Sequence, residues 1–202
     1  MPTEYWFPTP IYHNMIDNYN EVQKELSLIV DDTIFKKYDD PNWDTNACSF
    51  SDGNIGPSLL AKYKPKLFLN ELFENVRLFF KDLNSEHMLE THDIVIDESW
   101  LARTRKNEYH HKHAHTSELA GVYYVKTNGM DGDIVFHTGT PILGTSKIFR
   151  NSSELAPGRK IESKMGRIIL FPGWLEHSVN TNQTNDDRIS LSFNISLRKK
   201  YV

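Results

Sequence analysis

Residues 110–115 read HHKHAH, so four of the chain's nine histidines fall within six positions. Imidazole at this density can serve as a set of neutral nitrogen donors to a metal ion. It also occurs as a solvated basic loop or as a surface tract that collects stray metal. In an extended segment, alternation puts His111, His113 and His115 on one face and His110 and Lys112 on the other, which brings two or three donors within reach of one ion. A second stretch bears on the choice. In GRIILFPGWLEHSVNTNQTNDDRISLSFNI, residues 166–195, a strand-like run ends at a Pro-Gly turn, an isolated His177 follows, and Arg188 then opens an alternating segment. Arg188, Ser190, Ser192 and Asn194 share one face of it, with Ile189, Leu191, Phe193 and Ile195 on the other. A buried guanidinium without a partner costs several kcal/mol, so this polar face asks for a ligand, and a bound dianion would satisfy it.

These groups need a scaffold, and the chain changes character near residue 92. Before it, Val22, Leu26, Ile29, Val30 and Ile34 recur at helical spacing and predict a helix from Asn18 to about Phe35. A second helix follows Pro65, with Leu67, Phe68, Leu72, Phe73, Val76, Phe79, Phe80 and Leu83 as its apolar stripe. Asp39 to Pro57 reads as an irregular loop, and WFPTPIY at 6–12 as an extended segment. Beyond residue 92 the period is two, with strands predicted at Asp93 to Leu101, Glu118 to Lys126, Asp133 to His137, Lys160 to Lys164, Arg167 to Phe171, His177 to Thr181 and Arg188 to Leu197. Short strands separated by turn signals predict a β-sandwich or barrel with the helices packed outside. Trp100, Trp174 and Phe136 read as core or pocket lining, and His137, opening HTGTP, as a solvated loop histidine.

The 202 residues, 39% hydrophobic and 12% aromatic, suffice for one domain, with a helical part at about 15–90 and a β core at about 93–198. A net charge of −4 and a pI near 6.1 argue against nucleic acid or anionic membrane as a partner held by overall charge. Cys48 is the only cysteine, and no run is apolar enough for a signal peptide or a membrane span, so a cytoplasmic location is expected. The N-x-Ser/Thr triplets at Asn151, Asn182 and Asn194 read as chance matches.

Two segments, ESWLARTRKNEYHHKHAHTSELAGVYYV and GRIILFPGWLEHSV with DDRISLSFN beyond it, resemble the iron(II)- and 2-oxoglutarate-dependent oxygenases, in particular a small branch common in marine phages and marine bacteria. The resemblance covers most of the chain and extends weakly to WFPTPIY. It implies a mainly β, α+β architecture: a double-stranded β-helix (jelly roll, cupin-like) with flanking N-terminal helices. Carried over by position, His113, His115 and His177 would be the iron ligands, Arg188 and Ser190 would clamp the far carboxylate of 2-oxoglutarate with help from Tyr124, and His111 would stand beside the ligands or in the pocket. Superfamily members usually have Asp or Glu where this chain has His115. Three imidazoles keep the number of open metal positions but remove one negative charge, and Glu118 would face away on a strand. The implied activity is a dioxygenase using Fe(II), 2-oxoglutarate and O2. Hydroxylation of a prolyl or other amino-acid side chain is favoured, a small molecule is the other substrate class, and Thr138 to Gly158 would be a pocket-covering loop. The competing reading is a non-catalytic β-domain that holds Zn²⁺ through three histidines, which would have no use for an oxoacid clamp in the same cavity.

Overall fold

The structure, a computed structural model, describes residues 8–37, 48–51, 58–137 and 158–200. In chain order the elements are β1 (Tyr12–Met15), α1 (Tyr19–Asp31), β2 (Phe35–Lys36), β3 (Ser49–Ser51), α2 (Leu59–Tyr63), α3 (Lys66–Asp82), α4 (Met88–Thr91), β4 (His92–Thr104), β5 (His110–His113), β6 (Leu119–Lys126), β7 (Ile134–His137), β8 (Gly158–Ile161), β9 (Arg167–Pro172), β10 (His177–Val179) and β11 (Arg188–Lys199). They form a seven-stranded sheet in the order β1-β9-β6-β11-β4-β3-β2 and a four-stranded sheet in the order β5-β10-β7-β8, with every pairing antiparallel. The two sheets enclose a cavity that takes side chains from both, the arrangement of a double-stranded β-helix.

The larger sheet is apolar on both faces because it separates two cores. Tyr123, Ile168, Leu170, Ile189, Leu191 and Phe193 pack with the helices, whereas Val122, Tyr124, Ile169 and Phe171 point between the sheets. Alternation along β6, β9 and β11 is therefore kept, although β6 and β9 read as nearly continuous hydrophobic runs. Helix α1 buries Val22, Leu26 and Ile29, and α3 buries Phe68, Leu72, Val76, Phe79 and Phe80. Pro65 occupies the N-cap of α3 and offers no side-chain acceptor, so Glu25 of α1 supplies one. Its carboxylate accepts from the Leu67 and Phe68 N–H groups at 3.1 and 2.9 Å, which ties the two helices together at a favourable end of the α3 dipole.

Several expectations are corrected here. Helix α1 stops at Asp31, leaving Ile34 66% exposed and Phe35 in β2, because pairing with β3 takes over the backbone bonds that a longer helix would have used. Leu67 and Leu83, assigned to the apolar stripe, lie 40% exposed at the two ends of α3. Within the expected Asp39–Pro57 loop, Ser49–Ser51 is a strand that pairs with β4, and the remainder apart from Cys48 lies outside the described residues. The segment 6–12 is described from residue 8 onward, and Tyr12 begins β1. Of the expected covering loop only Gly158 is described, as the first residue of β8; Asn151 also lies outside the described residues. Asn182 and Asn194 are buried. None of the described helices is long and apolar enough to cross a membrane.

Candidate active site

The histidine cluster is shaped by an irregular pairing. His113 pairs with His177 and His110 with Val179, so three steps along β5 match two along β10. The extra residue is a β-bulge, which resets alternation and turns His110 and His113 toward the same cavity. The expected common face of His111, His113 and His115 is therefore wrong for His111. That residue is absent from the cavity lining, its ring lies edge-on to Tyr109 with centroids 4.9 Å apart, and it contributes its backbone carbonyl.

His113, His115 and His177 converge, with one nitrogen of each lying within 4.8 Å of the others. The Nδ1 of His113 is 2.7 Å from the His111 carbonyl, and that of His177 is 2.9 Å from the Leu175 carbonyl. A carbonyl only accepts, so both Nδ1 atoms carry the proton and both Nε2 lone pairs are free for a metal. His115 lies just beyond β5 and is held through its backbone N–H, which donates to the Gly173 carbonyl at 2.8 Å. Gly173 must be glycine there, because a Cβ would stand 2.0 Å from the Ser117 carbonyl oxygen. Burial pushes the pKa of His177 down to about 3, with the His113 ring adding to the effect; it pushes His115 down to about 4, and it lowers His113 as well. The three rings thus meet an ion in the neutral form that ligation requires. Glu118 is exposed and accepts a hydrogen bond from the Leu197 N–H, away from the cluster.

Facing them on β11, Arg188 is 1% exposed. Its guanidinium donates to the Gly132 carbonyl at 2.7 Å and to Thr104 Oγ1 at 3.1 Å, while its buried Nε–H has no partner. Among the described residues no carboxylate pairs with it. Thr104 and Gly132 carry no recognisable sequence signal. Thr104 reaches Arg188 because the two are register partners, and Gly132 sits at φ +106° where a Cβ would come 2.3 Å from the Asn180 carbonyl oxygen. Buried Asn182 braces the loop before Arg188 by donating to the Thr104 and Asp186 carbonyls at 3.0 and 2.7 Å. Ser190 and Tyr124 are paired across β11 and β6, and both line the cavity. Burial pushes the Tyr124 hydroxyl up to about 12, so it is a neutral donor.

Other predicted residues divide. Trp100 lines the cavity beside His115, with ring centroids 5.8 Å apart, and Phe136 is inner core against Phe171 at 4.9 Å. Trp174 is neither core nor lining: it is 63% exposed, because Leu175 and not its neighbour turns inward after the Pro-Gly turn. His137 is the last residue of β7, half-buried, with its Nε2 2.8 Å from Ser178 Oγ on β10, instead of a solvated loop residue. Alternation puts His110 on the face away from His113, but it lines the same cavity; it is half-buried, and its Nε2 is shut off from solvent with no hydrogen-bond partner.

The family model described as "Putative 2OG-Fe(II) oxygenase" matches residues 98–194, from the middle of β4 to the middle of β11. In fold the chain is similar to SnoN, a non-heme alpha ketoglutarate dependent epimerase from nogalamycin biosynthesis, at 12% identity over 93% of this chain and 78% of that one (TM-score 0.63). It is similar to HygX from Streptomyces hygroscopicus, solved with nickel, 2-oxoglutarate and hygromycin B bound, at 13% identity over 93% and 83% of the two chains (TM-score 0.60). A Pseudomonas putida prolyl-4-hydroxylase matches at 14% identity over 94% of both chains (TM-score 0.57). No curated protein matches the chain.

Proposed function

We propose that this chain, a 2OG-Fe(II) oxygenase by the match across residues 98–194, is a hydroxylase of prolyl or other amino-acid side chains. Its ligands would be held by His113, His115 and His177 for Fe(II) and by Arg188, Ser190 and Tyr124 for 2-oxoglutarate. The observation that carries the reading is the convergence of three neutral imidazoles, with nitrogens within 4.8 Å, on a cavity that also receives a buried arginine with an unpartnered N–H. Fe(II) is the metal of the family and 2-oxoglutarate and O2 are its cosubstrates, and together they would supply oxidative decarboxylation of the oxoacid to succinate and CO2 coupled to oxidation of a substrate C–H bond.

The chain's own residues do the rest. Arg188 is held by Gly132 and Thr104 before any ligand arrives, so a carboxylate meets a rigid planar fork, and charge-assisted bonds of that kind are the strong ones. Ser190 and Tyr124 add neutral hydroxyls on the same wall. The carbonyls of His111 and Leu175 keep two imidazoles in one tautomer and orientation. With His115 in place of a carboxylate, the ligand set is uncharged, which leaves the full charge of the ion to attract a dianionic oxoacid. An amino-acid side chain as substrate is supported by the likeness to the prolyl-4-hydroxylase, which extends over 94% of each chain, whereas SnoN is matched over 78% of its length. We assign the activity to a single domain, because β1, β2 and β3 from the helical part complete the larger sheet. We place it in the cytoplasm, where its buried thiol, Cys48, stays reduced.

The test is an anaerobic titration of the iron-loaded protein with 2-oxoglutarate, following the visible charge-transfer band of a chelated α-keto acid. A charge-assisted bond contributes roughly 1.5–3 kcal/mol, and each 1.4 kcal/mol is about tenfold in binding. Arg188→Met should therefore weaken oxoacid binding about ten- to a hundredfold while leaving Fe(II) affinity near the parent value. Admitting O2 should yield succinate, and proline-containing peptides should raise its rate and gain one oxygen atom. Equal midpoints for parent and variant would remove the clamp assignment; succinate without oxidation of any peptide would redirect the search to small molecules.

A further inference from the structure

We propose that His110 is an additional 2-oxoglutarate-binding residue, donating from Nε2 to the distal carboxylate from the wall opposite Arg188. The proposal rests on the oxygenase reading above and adds to it a residue outside the Arg-x-Ser clamp. Among the described residues that line this cavity, two side chains on opposite sheets each hold a buried nitrogen without a partner: Arg188, whose Nε carries a proton, and His110, whose Nε2 donates in the tautomer the proposal assigns to it. A buried polar atom left unpaired is costly, and here two such atoms belong to residues that line one cavity. His110 reaches that space only because β5 bulges, a device that re-aims a side chain at the expense of ladder pairing. Its ring is packed on both flanks, edge-on to His113 at 5.5 Å and tilted to Phe50 at 5.3 Å, so its aim is set before a ligand binds. It stands outside the group of three nitrogens that converge within 4.8 Å, which separates it from metal ligation. An acceptor that satisfies both orphan donors needs lone pairs in several directions, and a carboxylate offers about four such sites. A neutral imidazole N–H also suits a site that would hold a divalent ion beside a guanidinium, since it adds a donor without adding a like charge.

The experiment uses the full-length, iron-loaded protein under anaerobic conditions and compares His110→Leu with His110→Gln, which keeps a side-chain N–H. The leucine variant should bind 2-oxoglutarate about ten- to a hundredfold more weakly, the glutamine variant within a few-fold of the parent, and neither should change Fe(II) affinity. The charge-transfer maximum should stay in place, because the lost bond is remote from the chelating end. Pyruvate, an α-keto acid with no distal carboxylate, should bind parent and leucine variant alike. Should His110→Leu fail to fold, His110→Glu against His110→Gln tests the same contact at equal size, and the carboxylate should give the larger loss by repulsion. A leucine variant with the parent midpoint, a displaced band, or an equal loss toward pyruvate each overturns the proposal. If Arg188→Met weakens binding and His110→Leu does not, His110 alone is excluded; if the parent binds no oxoacid, the oxygenase reading fails with it.

Discussion

Tautomer, more than the number of histidines, makes this cluster a set of donors. His113 and His177 each give their Nδ1 proton to a backbone carbonyl, at 2.7 and 2.9 Å, and so present Nε2 to the centre. His177→Ala should abolish tight Fe(II) binding, whereas His111→Ala should be mild, because the group used at position 111 is a carbonyl that the substitution keeps. A metal titration in which His111→Ala alone destroyed the site would shift the assignment. Protonation gives a second expectation. With His177 held down to about 3 and His115 to about 4, an incoming metal has no proton to displace at neutral pH. Co(II) affinity should then be nearly flat from about pH 8 to about pH 6 and fall only as the folded values are approached. Between those values and the ordinary 6.5 the unfolded chain binds more protons than the folded one, so the metal-free protein should lose stability as pH falls through that window. Urea midpoints across the same range check the sign; no contribution from the rings would mean that they are solvated, and a rise on acidification would mean that the fold favours their charged form. His113, His115, His177, Arg188, Ser190 and Tyr124 were named through the family resemblance, since spacing alone left His111, His113 and His115 as alternatives, and all six line one cavity. His110 could not, because alternation assigns it to the opposite face and the bulge leaves no mark in residue type.

At the level of elements, what was legible depended mostly on length, although the turn signals around the short strands β7 and β10 marked them as well. Helix α3 and strands β4, β6, β9 and β11 are long enough to show a period, and each was found within a few residues of its bounds. Strands β2 and β3, of two and three residues, have no period, and exist because β4 offers β3 a partner edge and β3 in turn offers one to β2. The short helices α2 and α4 were missed for the same reason. The Pro-Gly turn after β9 shows an element acting on the site. Its Gly173 carbonyl accepts from the His115 N–H, and its Cα lies so close to Ser117 that a methyl group would meet the carbonyl oxygen at 2.0 Å. Gly173→Ala should force the turn outward, costing roughly 1–3 kcal/mol as overpacking does and loosening the metal by displacing His115. Paired urea and Co(II) titrations test this; a stability loss with unchanged metal affinity would show that His115 does not depend on the turn.

For the whole molecule, the larger sheet serves as a partition, with a core under the helices and a second core between the sheets. The expectation of helices packed outside a β core was correct in outline, but the sequence could not say which residues belonged to which side, since β6 and β9 are apolar on both faces. The partition has a measurable consequence in two buried phenylalanines. Phe68 of α3 is fully buried against Tyr123 and Phe193, at 5.2 and 6.2 Å between ring centroids, on the helical side. Phe171 is 2% exposed on the cavity side, and its ring stands edge-on to His177 at 4.7 Å. Removing either ring leaves a cavity and should cost about 3–5 kcal/mol of stability. Their effects on the site should differ. Phe68→Ala changes only the far side of the sheet, so below its unfolding transition it should bind metal and 2-oxoglutarate within about twofold of the parent, as distant and independent sites do. Phe171→Ala removes a wall against which His177 is oriented, so metal affinity should fall well beyond what stability predicts. Denaturation and Co(II) titration of both variants decide the matter: equal losses of affinity would mean that the sheet transmits packing changes from one core to the other and that the helical layer helps to shape the site.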